Sequence, residues 1–401
     1  MELMPGYKHS DVGVIPDDWD AKTIGEEIDL LTGFPFPSSG YSKSGVRLLR
    51  GSNIKRGQTD WSDDIAQYWP EVSRELARYS LQVGDLVVSM DGSLVGRSFA
   101  QLSDSDLPAL LLQRVARIRG KKMDVTYLRQ FVGSDQFIKY VDSVKTVTAI
   151  PHISLGDIRR FTIPVPPTIE EQRAIAQALS DVDALLATLD QVIAKKRDLR
   201  QAAMQQLLTG ETRLPGFSGN WEVKTFSAVL NRLNAKAHQI QASEYQETGK
   251  FPVVDQGKEF VVGFSDREEK RFRCPDGGVI VFGDHTCIVK FINFDFLVGA
   301  DGTQIIHGKH GQNTRFHALQ LQYRGIETTG YNRHFKTLKE REFFVPPLPE
   351  QDAIASALSS MDDELSVLEA YSEKTRNIKQ AMMQELLTGK TRLVETRGAN
   401  A

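Results

Sequence analysis

The sequence predicts an α+β protein: two globular mixed α/β domains alternating with two long helices that pair as an antiparallel coiled coil, the whole pseudo-two-fold symmetric. Three observations predict it. First, Glu171–Leu214 and Glu350–Leu393 align without a gap at an offset of 179, with 24 of 44 positions identical, and self-similarity at a fixed offset marks a repeated structural unit. Second, apolar residues recur in alternating steps of four and three in both copies, at Ile175, Leu179, Val182, Leu186, Leu189 and Ile193, and at Ile354, Leu358, Met361, Leu365 and Leu368. That is the seam of a coiled coil. Third, each copy follows a proline cluster, Pro164-Val165-Pro166-Pro167 or Pro346-Pro347-Leu348-Pro349, and runs out at a glycine, Gly210 or Gly389.

The elements follow in order. Residues 1–167 form the first globular domain and 168–210 the central helix. Proline is tolerated only before or within the first helical turn, and glycine caps a helix C-terminus. About 40 residues at ~1.5 Å each give a rod of ~60 Å. Past Ile193 the seam positions fall on Lys196 and Arg200, while Val192, Leu199, Ala203 and Leu207 supply apolar side chains. This predicts a phase shift of the stripe, as a stutter makes, with Lys195, Lys196 and Arg197 turned to solvent or a partner. Residues 211–347 form the second domain, 348–389 the distal helix and 390–401 a tail. The two globular domains correspond more weakly. Asp18–Ile24 matches Asn220–Phe226 around Trp19 and Trp221, and Gly84–Asp91 matches Gly277–Asp284, a buried strand ending in a polar turn. The helices therefore share one structural job, and the globular domains carry different specificities. Thr391-Arg392-Leu393 joined to Met4-Pro5-Gly6-Tyr7 mimics the internal junction Thr212–Phe217, so the dyad places the chain ends close together.

Composition excludes several classes. The 401 residues carry 49 Lys plus Arg against 52 Asp plus Glu, net −3, with 40% hydrophobic and 25% charged residues. That is an ordinary globular composition for two or three domains. No apolar run nears the ~18 residues that span a bilayer, and Met1–Ser10 lacks the pattern of a signal peptide. Two cysteines, Cys274 and Cys287, cannot build a disulfide framework or a four-cysteine zinc site, and they predict a reducing cytoplasm. No phosphate-binding loop, GxGxxG or GxSxG motif occurs. Val165 and Val345 stand before their proline pairs where an amino-methyltransferase needs Asp or Asn. Asp284-His285-Thr286-Cys287 reads as a turn at a strand end rather than a metal or thiol site. Asp17, Asp20 and Lys22 are too close together for a metal-dependent nuclease and read as a turn before a strand.

The charge is uneven. Residues 1–167 are net −1, 168–214 net −1, 215–347 net +2 and 348–401 net −3. Within the globular domains basic residues cluster: Arg47, Arg50, Lys55 and Arg56 around Gly51-Ser52-Asn53; Arg114, Arg117, Arg119, Lys121 and Lys122; Arg267, Lys270, Arg271 and Arg273; and Arg333, His334, Lys336, Lys339 and Arg341. Turns mixing Arg, Lys, Asn, Gln and Ser carry the side chains that read base edges and phosphates. Arg114, Arg117 and Arg119 alternate with apolar residues and read as the wet face of a strand.

The layout resembles the specificity (S) subunit of type I restriction-modification systems over almost the whole chain. The resemblance rests on the helix starts at Pro164–Leu179 and Pro346–Leu358, each a proline cluster followed by EQxxIAxxL, the two LLTGxTRL helix ends, the Trp19 and Trp221 segments and Gly283-Asp284-His285-Thr286. It implies a non-catalytic subunit. The globular domains would be target-recognition domains, each reading one half of a bipartite double-stranded DNA target, and the coiled coil would set the spacer. It implies two M (methyltransferase) subunits and R (restriction) subunits as partners, which would bring S-adenosylmethionine, ATP and Mg²⁺. No cofactor or metal is expected in this chain, and no membrane. The DNA-contact candidates, chosen by chemistry, are Arg47, Arg50, Ser52, Asn53, Lys55, Arg56, Asp91, Lys145 and His152 in the first domain. In the second they are Gln256, Lys258, Asp284, His285, Asn332, Arg333, His334 and Lys336. A near-neutral chain is expected to bind DNA weakly alone, because phosphate neutralisation supplies much of such affinity. The alternative is a coiled-coil protein-interaction scaffold without a DNA role.

Overall fold

The computed structural model describes residues 5–299, 301–327 and 332–394. Residues 1–4 and 395–401, at the outer ends of the first domain and the tail, lie outside it. The chain divides into two units, residues 1–188 with 373–401, and residues 189–372.

In the first unit a hairpin of β1 (Tyr7–Ser10) and β2 (Gly13–Pro16) leads to β3 (Asp20–Thr23). Strands β4 (Ile28–Thr32), β5 (Val46–Leu49), β6 (Tyr68–Trp69), β7 (Leu86–Ser89), β8 (Phe99–Gln101), β9 (Ala109–Leu111) and β10 (Val115–Gly120) build two sheets, ordered β4-β10-β7-β8 and β6-β5-β9. All four residues of β7 are buried. Leu86 and Val88 join a core with the helices, and Val87 joins a second core with Leu49 and Leu111, so the unbroken apolar run serves two faces. Helices α1 (Val125–Val132), α2 (Asp135–Val144) and α3 (Leu155–Arg160) follow. Asp124 caps α1 by accepting from the Thr126 and Tyr127 amides. Strand β11 (Thr162–Val165) pairs antiparallel with β3 and delivers the chain to the long helix α4 (Ile169–Thr209).

The second unit repeats this order. Strand β12 (Glu222–Thr225), helix α5 (Phe226–Val229) and strand β13 (Leu230–Leu233) come first. Strands β14 (Phe251–Val254), β15 (Gly263–Ser265), β16 (Val279–Gly283), β17 (Val289–Ile292), β18 (Leu297–Val298) and β19 (Thr303–Gly308) complete sheets ordered β13-β19-β16-β17 and β15-β14-β18. Helices α6 (Thr314–Arg324) and α7 (Phe335–Lys339) precede β20 (Glu342–Val345), which pairs with β12 and leads into α8 (Leu348–Leu386). Asn313 caps α6 as Asp124 caps α1.

The registers correct the sequence alignment by one residue. Leu86 faces Ile118, and Ile280 faces Ile306. Leu86 thus corresponds to Ile280, and Asp91 to His285 rather than Asp284. A one-residue slip exchanges the two faces of a strand, and runs as uniformly apolar as Leu86–Val88 and Val279–Phe282 offer no polar position to reveal it.

The helix seam also differs from expectation. Ile175, Leu179, Leu189, Ile193, Ile354, Leu358 and Leu365 are buried, and Val182, Leu186, Met361 and Leu368 half-buried. Beyond Ile193 there is no stutter. Val192 and Leu199 are exposed, while the 4-3 spacing continues through half-buried Lys196 and Arg200 to Ala203 and Leu207. In α8 it continues through buried Ser372 and Thr375 to half-buried Lys379 and Met382. Ion pairs keep the polar seam positions in phase. In the second unit Arg200 pairs with Asp362, Lys196 with Glu364 at 2.7 Å and Arg197 with Glu369 at 2.6 Å. Lys196 and Arg197 are thus interhelical partners, Lys196 half-buried and Arg197 still exposed to solvent. In the first unit Lys379 pairs with Asp183 at 2.6 Å. Rising numbers in α4 meet falling numbers in α8, so the segments run antiparallel in each unit. Each of these aspartates also takes an arginine from its globular domain: Arg129 on Asp183 at 3.2 Å and Arg315 on Asp362 at 3.1 Å.

The repeated motifs meet each other in space. Arg392 pairs with buried Glu171 and with Asp18 at 3.0 Å, and lies 5.7 Å over the Trp19 ring. Arg213 repeats this with buried Glu350 and, again at 5.7 Å, Trp221. Gly389 and Gly210 have φ of +71° and +75°. An added Cβ would lie 2.5 Å from Pro16 at Gly389, or 3.4 Å from Trp221 at Gly210. The adjoining glutamines tie each globular domain to its helix. Gln172 accepts from the Asp124 amide at 2.9 Å and donates to the Pro166 carbonyl, and Gln351 does the same with Asn313 and Pro346. The Tyr7 hydroxyl reaches the Gly389 carbonyl at 3.4 Å, so the two ends of the described chain do meet in the first unit.

His317, on α6, is fully buried beside Gln312 and Gln320. Burial pushes its pKa down to about 4. The unfolded chain, titrating near 6.5, then binds the extra proton that the folded chain refuses. Stability is complete above pH ~6.5 and declines towards pH ~4, by about 3 kcal/mol. Urea unfolding of H317Q should lack that decline, and an unchanged acid dependence would assign it elsewhere.

Candidate nucleic-acid interface

Hydrogen bonds across the strand ends define the same loop cluster in each unit. In the first, Met90 N–H donates to Arg114 C=O at 2.9 Å and Ile153 N–H to Met90 C=O at 2.9 Å. In the second, Asp284 N–H donates to Gly302 C=O at 2.8 Å and His334 N–H to Asp284 C=O at 2.8 Å. The loops after β7 and β16, before β10 and β19, and before α3 and α7 therefore converge in equivalent ways. The turn after β5 and β14 joins them. A Cβ on Gly51 would lie 2.8 Å from Ser89 Oγ, and one on Gly283 would lie 3.0 Å from Gln256 Cβ. At equivalent positions the first unit presents Asp91, Arg114 and His152, and the second His285, Gly302 and Arg333.

The structure brings Asp91 and His152 together as bridged neighbours. They edge a cavity of about 600 Å³ whose wall includes Met90, Ile150 and Leu155. His152 is exposed, its Nδ1 2.9 Å from the Thr146 hydroxyl. Ser52, Lys55 and Arg56 are exposed. Lys55 pairs with Asp60 at 3.5 Å, and Ser62 and Lys55 together hold the Asp60 carboxyl below its ordinary range. Arg47 bonds the Ser105 carbonyl at 2.6 Å and covers Trp61, while Arg50 donates to the Ile65 carbonyl. Lys145 is half-buried on Asp142, whose carboxyl Lys145 and Arg97 hold down. In the second unit Lys258, Asn332, Arg333 and Lys336 are exposed and His285 is half-buried.

Several candidates are corrected. Asn53 is fully buried: its Oδ1 accepts from the Arg50 amide at 3.1 Å and its Nδ2 donates to the Asp60 carbonyl at 3.0 Å. Asp284 is 4% exposed and accepts from the Phe335 amide at 2.8 Å, and His334 is 2% exposed with Nδ1 3.1 Å from the Asp284 carbonyl. These three build the loops rather than face outward, because a buried polar group must spend its hydrogen bonds internally. Gln256 is half-buried with its amide between the Asp301 carbonyl and the His285 N–H. Arg117 is not on a wet face; it is 4% exposed and paired with Asp29, and Arg119 is paired with buried Asp85. In the cluster at 267–273, Arg267 is held by Glu244 and Glu269, and Arg271 lies near Asp295.

Sequence reasoning missed Arg114. It lies before β10 rather than on it, at φ +66°, with its side chain 66% exposed and Nη1 2.9 Å from Asp91 Oδ2. No side-chain periodicity signals such a position. Burial raises the Cys274 and Cys287 thiols, which removes a reactive thiolate there. Among the described residues no group of three or more His, Cys, Asp or Glu could hold a metal ion, and no helix is long and apolar enough to cross a membrane.

Comparison with known proteins gives one consistent result. The profile of a family described as the type I restriction modification DNA specificity domain matches residues 16–195 and 218–375. The type I restriction enzyme MjaVIII specificity subunit of Methanocaldococcus jannaschii is 29% identical over 213 residues, 52% of this chain and 49% of that one. The EcoAI specificity subunit of Escherichia coli is 31% identical over 182 residues, 44% of this chain and 30% of that one. The matched stretches thus span about half or less of these relatives. The crystal structure of an S subunit of a type I restriction-modification system from M. genitalium superposes with a TM-score of 0.67 at 16% identity, covering 96% of this chain and 98% of that one. The fold is shared over nearly the full length.

Proposed function

The chain belongs to the family of type I restriction-modification DNA specificity domains, and on that premise we propose that it is the non-catalytic, sequence-specific DNA-recognition subunit of such a complex. The observation that carries this reading is the loop cluster built twice on one scaffold with different side chains: Asp91, Arg114 and His152 against His285, Gly302 and Arg333. Shared backbone with exchanged hydrogen-bonding groups is what two readers of different base sequences need. Each unit reads one half of a bipartite double-stranded target, and the coiled coil sets the unread spacer.

The methyltransferase subunits dock on the outer face of the helices. In the second unit Val192, Leu199, Val367 and Tyr371 are exposed apolar side chains on that face, 37% to 68% accessible, and Val192 and Tyr371 are equivalent in the repeat. Exposed apolar residues seven apart on one helix and four apart on the other suit partner helices. Two such subunits bring S-adenosylmethionine, and restriction subunits bring ATP and Mg²⁺, all acting on cytoplasmic DNA. A scaffold without a DNA role is not favoured by membership of a DNA-specificity family.

Replacing exposed Arg333 with alanine is expected to lower methylation by the assembled complex at one half-site by about 5- to 100-fold, the range for a lost base or phosphate contact. Methylation of targets varied in each half reads this directly. Undiminished methylation with R333A would remove the loop before α7 from the interface.

A further inference from the structure

We propose that Arg114 is the specificity-determining residue of the first unit, reading the major-groove edge of a guanine in its half-site. The inference rests on the reading of the chain as a DNA-recognition subunit and adds the base and the side chain.

The two units supply their own comparison. Arg114 and Gly302 hold equivalent places at the ends of turns that differ by one residue in length, each accepting at its carbonyl from the residue that follows the strand, Met90 or Asp284. Both have positive φ, +66° for Arg114 and +89° for Gly302. The turn thus requires a left-handed residue, which glycine adopts without steric cost and arginine does not. In the second unit a residue with no side chain presents the same carbonyl, so the guanidinium is not needed for that hydrogen bond. Nor is the Arg114–Asp91 pair, since His285 stands at the position of Asp91. A strained residue that the fold does not require points to function.

The surroundings are arranged for an arginine in one unit and against any side chain in the other. A Cβ on Gly302 would lie 2.7 Å from the Gln256 amide and 2.8 Å from His285. The strand registers Leu49↔Leu111 and Val254↔Val298 place Gly51 where Gln256 stands. Position 51 carries no side chain in the first unit, where Gln256 bonds the Asp301 carbonyl and the His285 amide in the second. The Arg114 side chain is 66% exposed, and Asp91 Oδ2 braces Nη1 at 2.9 Å. The carboxylate holds one Nη of the guanidinium and leaves its other N–H groups available, and a planar fork of donors matches guanine O6 and N7. The apolar side chains Met90, Ile150 and Leu155 line the same cavity as Arg114 and Asp91.

The test uses the full chain assembled with its methyltransferase partner. Methylation is measured on targets with each position of both half-sites varied, for wild type, R114G and R114K, with R333A marking the opposite half. We expect R114G to lose discrimination at a single guanine by about 5- to 100-fold while the other half-site is read as before. R114K should recover only part of it, since an ammonium cannot present the fork. Replacing that guanine with 7-deazaguanine should lower wild-type methylation and leave R114G unchanged. R114G should melt no lower than wild type, because glycine relieves the turn. A lower melting temperature would make Arg114 a structural brace. An equal loss on every sequence would make it a phosphate contact, and unchanged discrimination would remove it from the interface; each outcome overturns the proposal. A wild-type complex with no sequence preference in either half would instead overturn the functional reading itself.

Discussion

Replacing Arg392 with alanine is expected to lower the unfolding free energy of the first unit by about 3 kcal/mol, since truncating one partner of a buried ion pair leaves the other charge uncompensated. Glu171 is 1% exposed and Arg392 is its ionic partner, while Asp18 and the Trp19 ring engage the same guanidinium. Urea unfolding followed by tryptophan fluorescence reads the change. Replacing Glu171 and Arg392 together with apolar residues of similar volume should recover most of it, because the cost lies in the stranded charge rather than in the lost attraction. A loss under ~1 kcal/mol for R392A would mean that water reaches Glu171 and the pair is a surface contact in energetic terms. The corresponding substitution at Arg213, which pairs with buried Glu350, should loosen the second unit in the same way.

Inserting one heptad into both long helices, after Leu189 and after Ser372, is expected to lengthen the recognised spacer by about three base pairs. Seven residues at ~1.5 Å add ~10 Å, and DNA rises ~3.4 Å per base pair. A whole heptad returns every seam residue to its own phase, so Arg200–Asp362 and Lys379–Asp183 can re-form. Sequencing methylated sites in cells carrying the double insertion measures the spacer. A functional complex with the original spacer would exclude the coiled coil as the ruler.

The helix boundaries near Gly210 and Gly389 were legible in the sequence because they rest on local chemistry, proline before a helix, glycine after it and a 4-3 apolar stripe between, and the antiparallel pairing because a dyad between two copies of one unit opposes their helices. The polar stretch of the seam was misread for the same reason. Lys196 and Arg200 look like a break in an apolar stripe, and only their partners Glu364 and Asp362, more than 160 residues away in the chain, show that the phase is kept. The candidate interface was half legible. His152, Lys258, Arg333 and Lys336 carry chemistry and are exposed or rim the loop cluster, whereas Asn53, Asp284 and His334 carry the same chemistry and spend it on backbone groups inside the turns. Residue type cannot separate the two cases, since polar side chains that build a turn and those that read a ligand come from one short list.

The sequence by itself determined that this protein is one helix-and-domain unit written twice, because periodicity and terminators act over a few residues and survive without knowledge of what packs against them. Only the tertiary structure decided which residues of the two copies are equivalent. Strand register depends on cross-strand hydrogen bonds between segments far apart in the chain, and the apolar runs Leu86–Val88 and Val279–Phe282 fit a neighbouring strand equally well one residue out of step. With the register set, Asp91 falls on His285 and Arg114 on Gly302, and the side chains by which the two domains differ at these positions become visible.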